Sequence, residues 1–170
     1  MVDTGLNATA AALLGLLHEG PMTGGQLAAA ARDRLGAFWK MTRSQIYREL
    51  PVLADQGYVR AGKIGLRGAV PYHLTVKGRN AFRRWLDHDP SGEAQRNPVL
   101  LRVFFGDVYG AVKLRKLLAE RRDEDRERLS MLRDQIKEAT ADGDKYRKAA
   151  LDCVLKQLES ELRWLQSVRL

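Results

Sequence analysis

The chain has 170 residues, 45% of them hydrophobic and 29% charged, with 29 Lys/Arg against 21 Asp/Glu and a formal net charge of +8. This size and mixture predict a soluble globular protein of one compact domain or two small ones and exclude a disordered chain. The longest apolar stretch, Ala8 to Leu17, is too short to span a bilayer, so no membrane partner is expected.

The single Cys153 excludes an intrachain disulfide. The start Met1-Val2-Asp3-Thr4 lacks the pattern of a signal peptide, so a reducing, cytoplasmic setting is expected. The charge is uneven. Residues 1–87 hold 12 Lys/Arg against 6 Asp/Glu, whereas residues 88–170 hold 17 against 15. A basic excess gathered in one half points to a polyanionic partner for that half.

The first expected element is an Ala/Leu helix from Thr9 to Glu19, stopped by Gly20-Pro21. Thr23-Gly24-Gly25-Gln26 reads as a capping box. It opens a second helix that runs to about Leu35 and ends at Gly36. Trp39 is expected to plug the core. Thr42-Arg43-Ser44-Gln45 repeats the box and opens a third helix ending at Gln56-Gly57, with Pro51 inside it as an expected kink. Three short helices joined by tight turns are the material of a helix-turn-helix. The period then changes. Residues 58–64 and 69–74 read as two strands around Gly65-Leu66-Arg67-Gly68, which makes a wing; Pro71 suits an edge strand better than a central one. Thr75 caps a fourth helix, Val76 to Asp87.

The segment 88–98 carries two prolines and almost nothing apolar, and divides the chain into a winged-helix domain (1–87), a linker (88–98) and a helical domain (99–170). In the last of these, a short apolar helix over 99–105 precedes a long helix from Ala111 to Ala139. Asp142-Gly143-Asp144 breaks the pattern before a final helix, Lys145 to Val168. There Leu151, Leu155, Leu158, Leu162 and Leu165 form a heptad-like seam, expected to pack partly on the preceding helix, through Leu114, Leu118, Leu129, Leu132 and Ile136, and partly on a second copy as the dimer interface. The fold class expected is mainly α: an N-terminal winged helix-turn-helix with a two-stranded wing and a C-terminal helical dimerisation domain.

On the third helix, Ile46, Leu50 and Leu53 fall on one face and pack inward, which turns Arg43, Ser44, Tyr47 and Arg48 outward. A helix in the major groove reads base edges mainly from its first turns. Arg can pair with guanine and Gln45 with adenine, while Lys40 and the residues around Thr42 hold phosphates. Arg60, Lys63 and Arg67 on the wing are placed for phosphates or the minor groove. The competing readings are a solvated charged face, or a winged-helix scaffold whose third helix docks on a protein instead of DNA.

Catalysis finds no support. His18, His73, His88 and Cys153 lack metal-ligand spacing, and neither a phosphate-binding glycine loop nor a nucleophile elbow is present. No metal and no cofactor are expected. Cys153 is expected to serve packing instead of redox chemistry.

Taken in order, several segments resemble the PadR family of transcriptional regulators: 12–22 (ALLGLLHEGPM), Phe38-Trp39, Ser44-Gln45-Ile46-Tyr47 followed by Leu50, Leu53 and Gly57, and 72–79 (YHLTVKGR). Asn97-Pro98-Val99-Leu100-Leu101, Phe104-Phe105-Gly106 and the ending Trp164-Leu165 are similar to the larger helical C-terminal domain of its longer subgroup. The resemblance implies a homodimer on double-stranded DNA, a palindromic operator, repression, and release by a small aromatic or hydrophobic effector. The chain departs from the family at residues 23–27, where a His-Gly-Tyr-Glu-Leu pattern is common and Gly25 stands in place of the tyrosine. An effector site is expected near the junction of the two modules, where Trp85, Phe104, Phe105, Tyr109 and Trp164 supply aromatic surface.

Overall fold

The computed structural model of the protein describes residues 6–65, 68–87 and 97–169. Arg67 and most of the 88–98 linker therefore lie outside the described residues. The chain forms two compact units, residues 1–91 and 92–170.

In the first unit, α1 spans Ala8–Leu16 and closes through a 3-10 turn at Leu17–Glu19. Asn7 caps its start, its side-chain oxygen accepting from Ala10 N–H at 2.8 Å. Helix α1 is apolar on almost every face, and Leu13 and Leu14 are wholly buried, as expected for a helix enclosed by its neighbours. Helix α2 spans Gly24–Ala30 and continues into a π-helical turn at Ala31–Leu35. Helix α3 spans Arg43–Asp55 and stays helical through Pro51. It buries Ile46, Leu50 and Leu53 against Leu13, Leu14, Leu17 and Leu27. The chain leaves α3 through Gly57, whose φ of +71° is the left-handed conformation that glycine adopts at little cost.

The sheet has three strands, not the two of the expected wing. Strand β1 is Met22–Thr23, β2 is Val59–Ala61 and β3 is Pro71–Leu74. Their antiparallel order is β1-β3-β2, with Met22 opposite Tyr72 and Arg60 opposite His73. Pro71 therefore opens the central strand, not an edge one. Its first position explains why it is tolerated: Pro71 needs only to accept, and it takes Gly62 N–H at 2.7 Å. Helix α4, Val76–Leu86, follows at once, with Thr75 Oγ1 accepting from Gly78 N–H at 3.0 Å.

The second unit is helical throughout its described residues: α5 at Pro98–Phe104, α6 at Gly106–Tyr109, α7 at Ala111–Ala141 and α8 at Lys145–Ser167. Helices α7 and α8 pack on each other, joined by a tight turn at Gly143 with φ of +69°. The leucine seam of α8 is covered inside its own chain. Leu151, Leu158, Leu162 and Leu165 are buried and Leu155 is half-buried. Leu165 packs with Leu114 and Leu118 of α7. The reason is geometric: a helical hairpin brings the stripes of α7 and α8 face to face before any partner arrives. The apolar surface this unit leaves bare lies elsewhere. Phe104 is 80% exposed, and Leu100, Leu101, Phe105, Val108 and Val112 are exposed beside it on α5, α6 and the start of α7.

Candidate nucleic-acid interface

Two capping boxes aim the helix-turn-helix. At α2, Thr23 N–H donates to Gln26 Oε1 at 2.8 Å and Gln26 N–H donates to Thr23 Oγ1 at 3.3 Å. At α3, Thr42 N–H donates to Gln45 Oε1 at 2.8 Å and Gln45 N–H donates to Thr42 Oγ1 at 3.2 Å. Each box satisfies two backbone donors that the first turn of a helix leaves open. The second has a cost for recognition. Gln45 is half-buried and its amide oxygen is held by the cap, including the Thr42 hydroxyl at 3.1 Å. Pairing with adenine needs that same oxygen as an acceptor, so Gln45 is a capping residue here and not a free base reader.

The outward face of α3 carries Arg43, Ser44, Tyr47 and Arg48, all exposed. The Arg43 guanidinium lies over the Tyr47 ring, 5.8 Å from its centroid, a cation–π pair that holds two long side chains in one orientation. Tyr47 in turn lies flat on the start of α2. A Cβ on Gly24 would stand 2.9 Å from Tyr47 Cε1, closer than real Cβ contacts come. Lys40 and Thr42 are exposed just ahead of α3, and Arg60 and Lys63 are exposed on and beside β2. Trp39, expected as a core plug, is 38% exposed, and Phe38 beside it is exposed as well. The leucines of α1, α2 and α3 already fill the core, and the turn after Leu35, closed by Trp39 N–H on the Leu35 carbonyl at 2.7 Å, swings both rings outward.

Behind this face, α4 adds Lys77 and Arg79. Lys77 Nζ caps the end of α3 by donating to the Gln56 carbonyl at 2.7 Å and lies 5.2 Å from the Tyr58 ring centroid. His18 packs its ring 5.3 Å from that of Phe82. Burial pushes its pKa below the ordinary histidine value, and the nearby charges of Arg79 and Arg83 push the same way.

The aromatic residues expected at an effector site divide between the two units. Trp85 belongs to the first unit, where it stacks on Phe82 at 6.5 Å. Tyr109 and Trp164 pack in the second unit with Leu114, Leu118 and Leu165, while Phe104 and Phe105 form an exposed edge-to-face pair at 5.0 Å. The second unit has a cleft of about 420 Å³ lined by Arg115, Leu118, Ala119, Arg122, Leu165, Val168 and Arg169. Sequence reasoning missed it, because its cations come from the start of α7 and the region after α8 and share no local pattern. Among the described residues, no group of three or more His, Cys, Asp or Glu is placed to hold a metal ion, and no helix is long and apolar enough to cross a membrane.

A capped helix-turn-helix, a short antiparallel sheet with basic residues along its outer strand and a following helical hairpin define a winged-helix protein with a C-terminal helical unit. Residues 13–84 match the PadR-like transcriptional regulator family, and residues 95–169 match the C-terminal region of the virulence activator alpha family. The chain is 26% identical to the negative transcriptional regulator PadR of Bacillus subtilis (strain 168), over 92% of this chain and 93% of that protein. It is similar in structure to Bacillus subtilis PadR in complex with operator DNA, with a TM-score of 0.80 and 25% identity over 95% of this chain and 96% of that one. It is also similar to Bacillus subtilis PadR in complex with p-coumaric acid, with a TM-score of 0.73 and 26% identity over 93% and 91%. Residues 13–84 are thus a PadR-like transcriptional regulator domain.

Proposed function

We propose that the protein is a homodimeric repressor that binds a palindromic operator through α3 and the wing and is released by a small aromatic effector. The observation that carries this reading is the exposed basic face of α3. Arg43, Ser44, Tyr47 and Arg48 stand clear of a fully packed core on a helix whose start is locked by a capping box. The likeness to PadR in complex with operator DNA, over nearly the whole chain, supports DNA as the partner. Arg48 and Ser44 are the base readers in this scheme; Lys40, Arg60 and Lys63 hold phosphates.

Two-fold assembly follows from the second unit. The leucine seam is used within the subunit, so the exposed face of Leu100, Leu101, Phe104, Phe105, Val108 and Val112 is the surface that a second copy covers. For the effector, the relative that binds p-coumaric acid sets the chemical class. The cleft lined by Arg115, Arg122 and Arg169 over Leu118, Ala119, Leu165 and Val168 offers guanidinium groups for a carboxylate and an apolar floor for a ring.

Selection of bound genomic fragments tests the operator reading. On the selected duplex, Arg48→Ala is expected to cost about 1–3 kcal/mol and relax specificity at one base pair per half-site. Lys63→Ala is expected to weaken all sequences alike. Wild-type affinity in both variants would remove α3 and the wing from the interface, and binding that ignores salt would favour a protein ligand for this face.

A further inference from the structure

Gly25 leaves a gap that its neighbours line with donors. At the point where a Cβ would stand, Arg43 Nη2, Thr23 Oγ1 and Tyr47 OH each lie 4.0 Å away. Two of these groups come from α3 and one from the β1–α2 corner. Each is held by a neighbour: Tyr47 lies against bare Gly24, Arg43 lies over the Tyr47 ring, and Thr23 is held by its capping box. Thr23 Oγ1 accepts from Gln26 N–H, and a hydroxyl that accepts still has a proton to donate. These three nearest atoms belong to one guanidinium and two hydroxyls. That set suits a single tetrahedral oxyanion.

We infer that Gly25 opens a seat for one DNA backbone phosphate, bound by Arg43, Tyr47 and Thr23. This rests on the reading of α3 as the DNA-facing helix. It goes beyond that reading in giving Arg43 a phosphate in place of a base edge, and in making the missing side chain at position 25 part of the site. A large side chain at position 25 would fill the gap, so the seat depends on glycine there. The Arg43–Tyr47 stack orders two flexible donors before DNA arrives, which lowers the entropy lost on binding. Gly24 is the positioning residue, because any side chain there displaces the Tyr47 ring.

A phosphate contact is indifferent to sequence, so the test uses the full-length protein on an arbitrary duplex as well as on a selected operator, over a range of salt. Gly25→Tyr is expected to weaken both by about tenfold, the loss of a charge-assisted hydrogen-bonding site. It should also lower the slope of log affinity against log salt by about one. Tyr47→Phe removes only the hydroxyl. It should weaken wild type several-fold and have no further effect in the Gly25→Tyr background, where the seat is already filled. Melting temperatures near wild type show that the folds are intact. Unchanged affinity and slope in Gly25→Tyr, or additive effects in the double variant, overturn the proposal. If the protein binds no duplex at all, the DNA reading falls and inorganic phosphate decides the seat. A saturable shift of the Thr23, Arg43 and Tyr47 NMR signals, lost in Gly25→Tyr, supports it, and no shift ends it.

Discussion

At Gly78, α4 runs so close to the chain entering β2 that a Cβ would stand 2.1 Å from the Tyr58 carbonyl oxygen. The obstacle is backbone, which cannot step aside as a side-chain tip does. Gly78→Ala is therefore expected to cost at least about 2 kcal/mol and to lower the melting temperature by roughly 10 °C, as read by calorimetry. Asp125 is the opposite case, a charge where an apolar residue belongs. It is 1% exposed on α7, with Arg121 Nε at 3.0 Å and Arg121 Nη2 bridging to Glu161 at 3.4 Å. Burial raises its pKa above the ordinary carboxylate value, Arg121 opposes the rise and Glu161 adds to it. The folded state therefore holds this proton at pH values where the unfolded chain has released it, and stability is lost as pH rises through the raised pKa. In urea titrations across pH, the stability of Asp125→Asn relative to wild type should climb from about pH 4 upward and level off above the raised pKa. A flat difference would show that the buried carboxyl titrates normally.

At the scale of elements, punctuation was legible and tertiary pairing was not. Both capping boxes stand where Thr23-Gly24-Gly25-Gln26 and Thr42-Arg43-Ser44-Gln45 place them, because a cap is a local contest between one hydroxyl and one amide. Strand β1 had no signal. Met22 and Thr23, the second of them already the cap of α2, have no periodicity, and they become a strand only because β3 arrives beside them. The same distinction explains Trp39. Its size suggested the core, but the available space was already taken by leucines from three helices. Gln45 shows a third case: its spacing fits both a cap and a base reader, and the cap, formed within one turn, engages its oxygen. Thr42→Ala should cost about 1 kcal/mol in equilibrium unfolding, because the Gln45 amide loses its Thr42 hydroxyl acceptor. It should weaken DNA binding through fraying of α3, with the salt slope unchanged.

For the whole molecule, the Pro- and Gly-bearing polar stretch after α4 predicts a boundary over 88–98, and the chain forms two compact units that part after residue 91. Which neighbour covers the leucine stripe of α8 is not legible in the sequence. The heptad spacing of α8 is equally satisfied by a neighbouring chain or by α7, and sequence spacing has no way to say which. With Leu158 only 3% exposed inside one subunit, Leu158→Asp should unfold the helical unit, with loss of helical signal on heating, before it changes the oligomer. Phe104→Glu should instead halve the mass seen by light scattering and leave helicity intact, since Phe104 contributes almost nothing to its own subunit's core. A Phe104→Glu protein that keeps its dimer mass would remove the α5–α6 face from the interface.

That bare face also bears on how long a newly made chain survives. Until it is covered, a subunit presents Phe104, Val108 and Val112 to every chaperone and protease it meets, which is the kind of surface such machines recognise. In the proposed dimer, covering this face is second order in subunit concentration, so scarce protein would spend more of its life uncovered. The half-life of the regulator then rises with its own abundance, and a cell that makes only a little of it keeps even less.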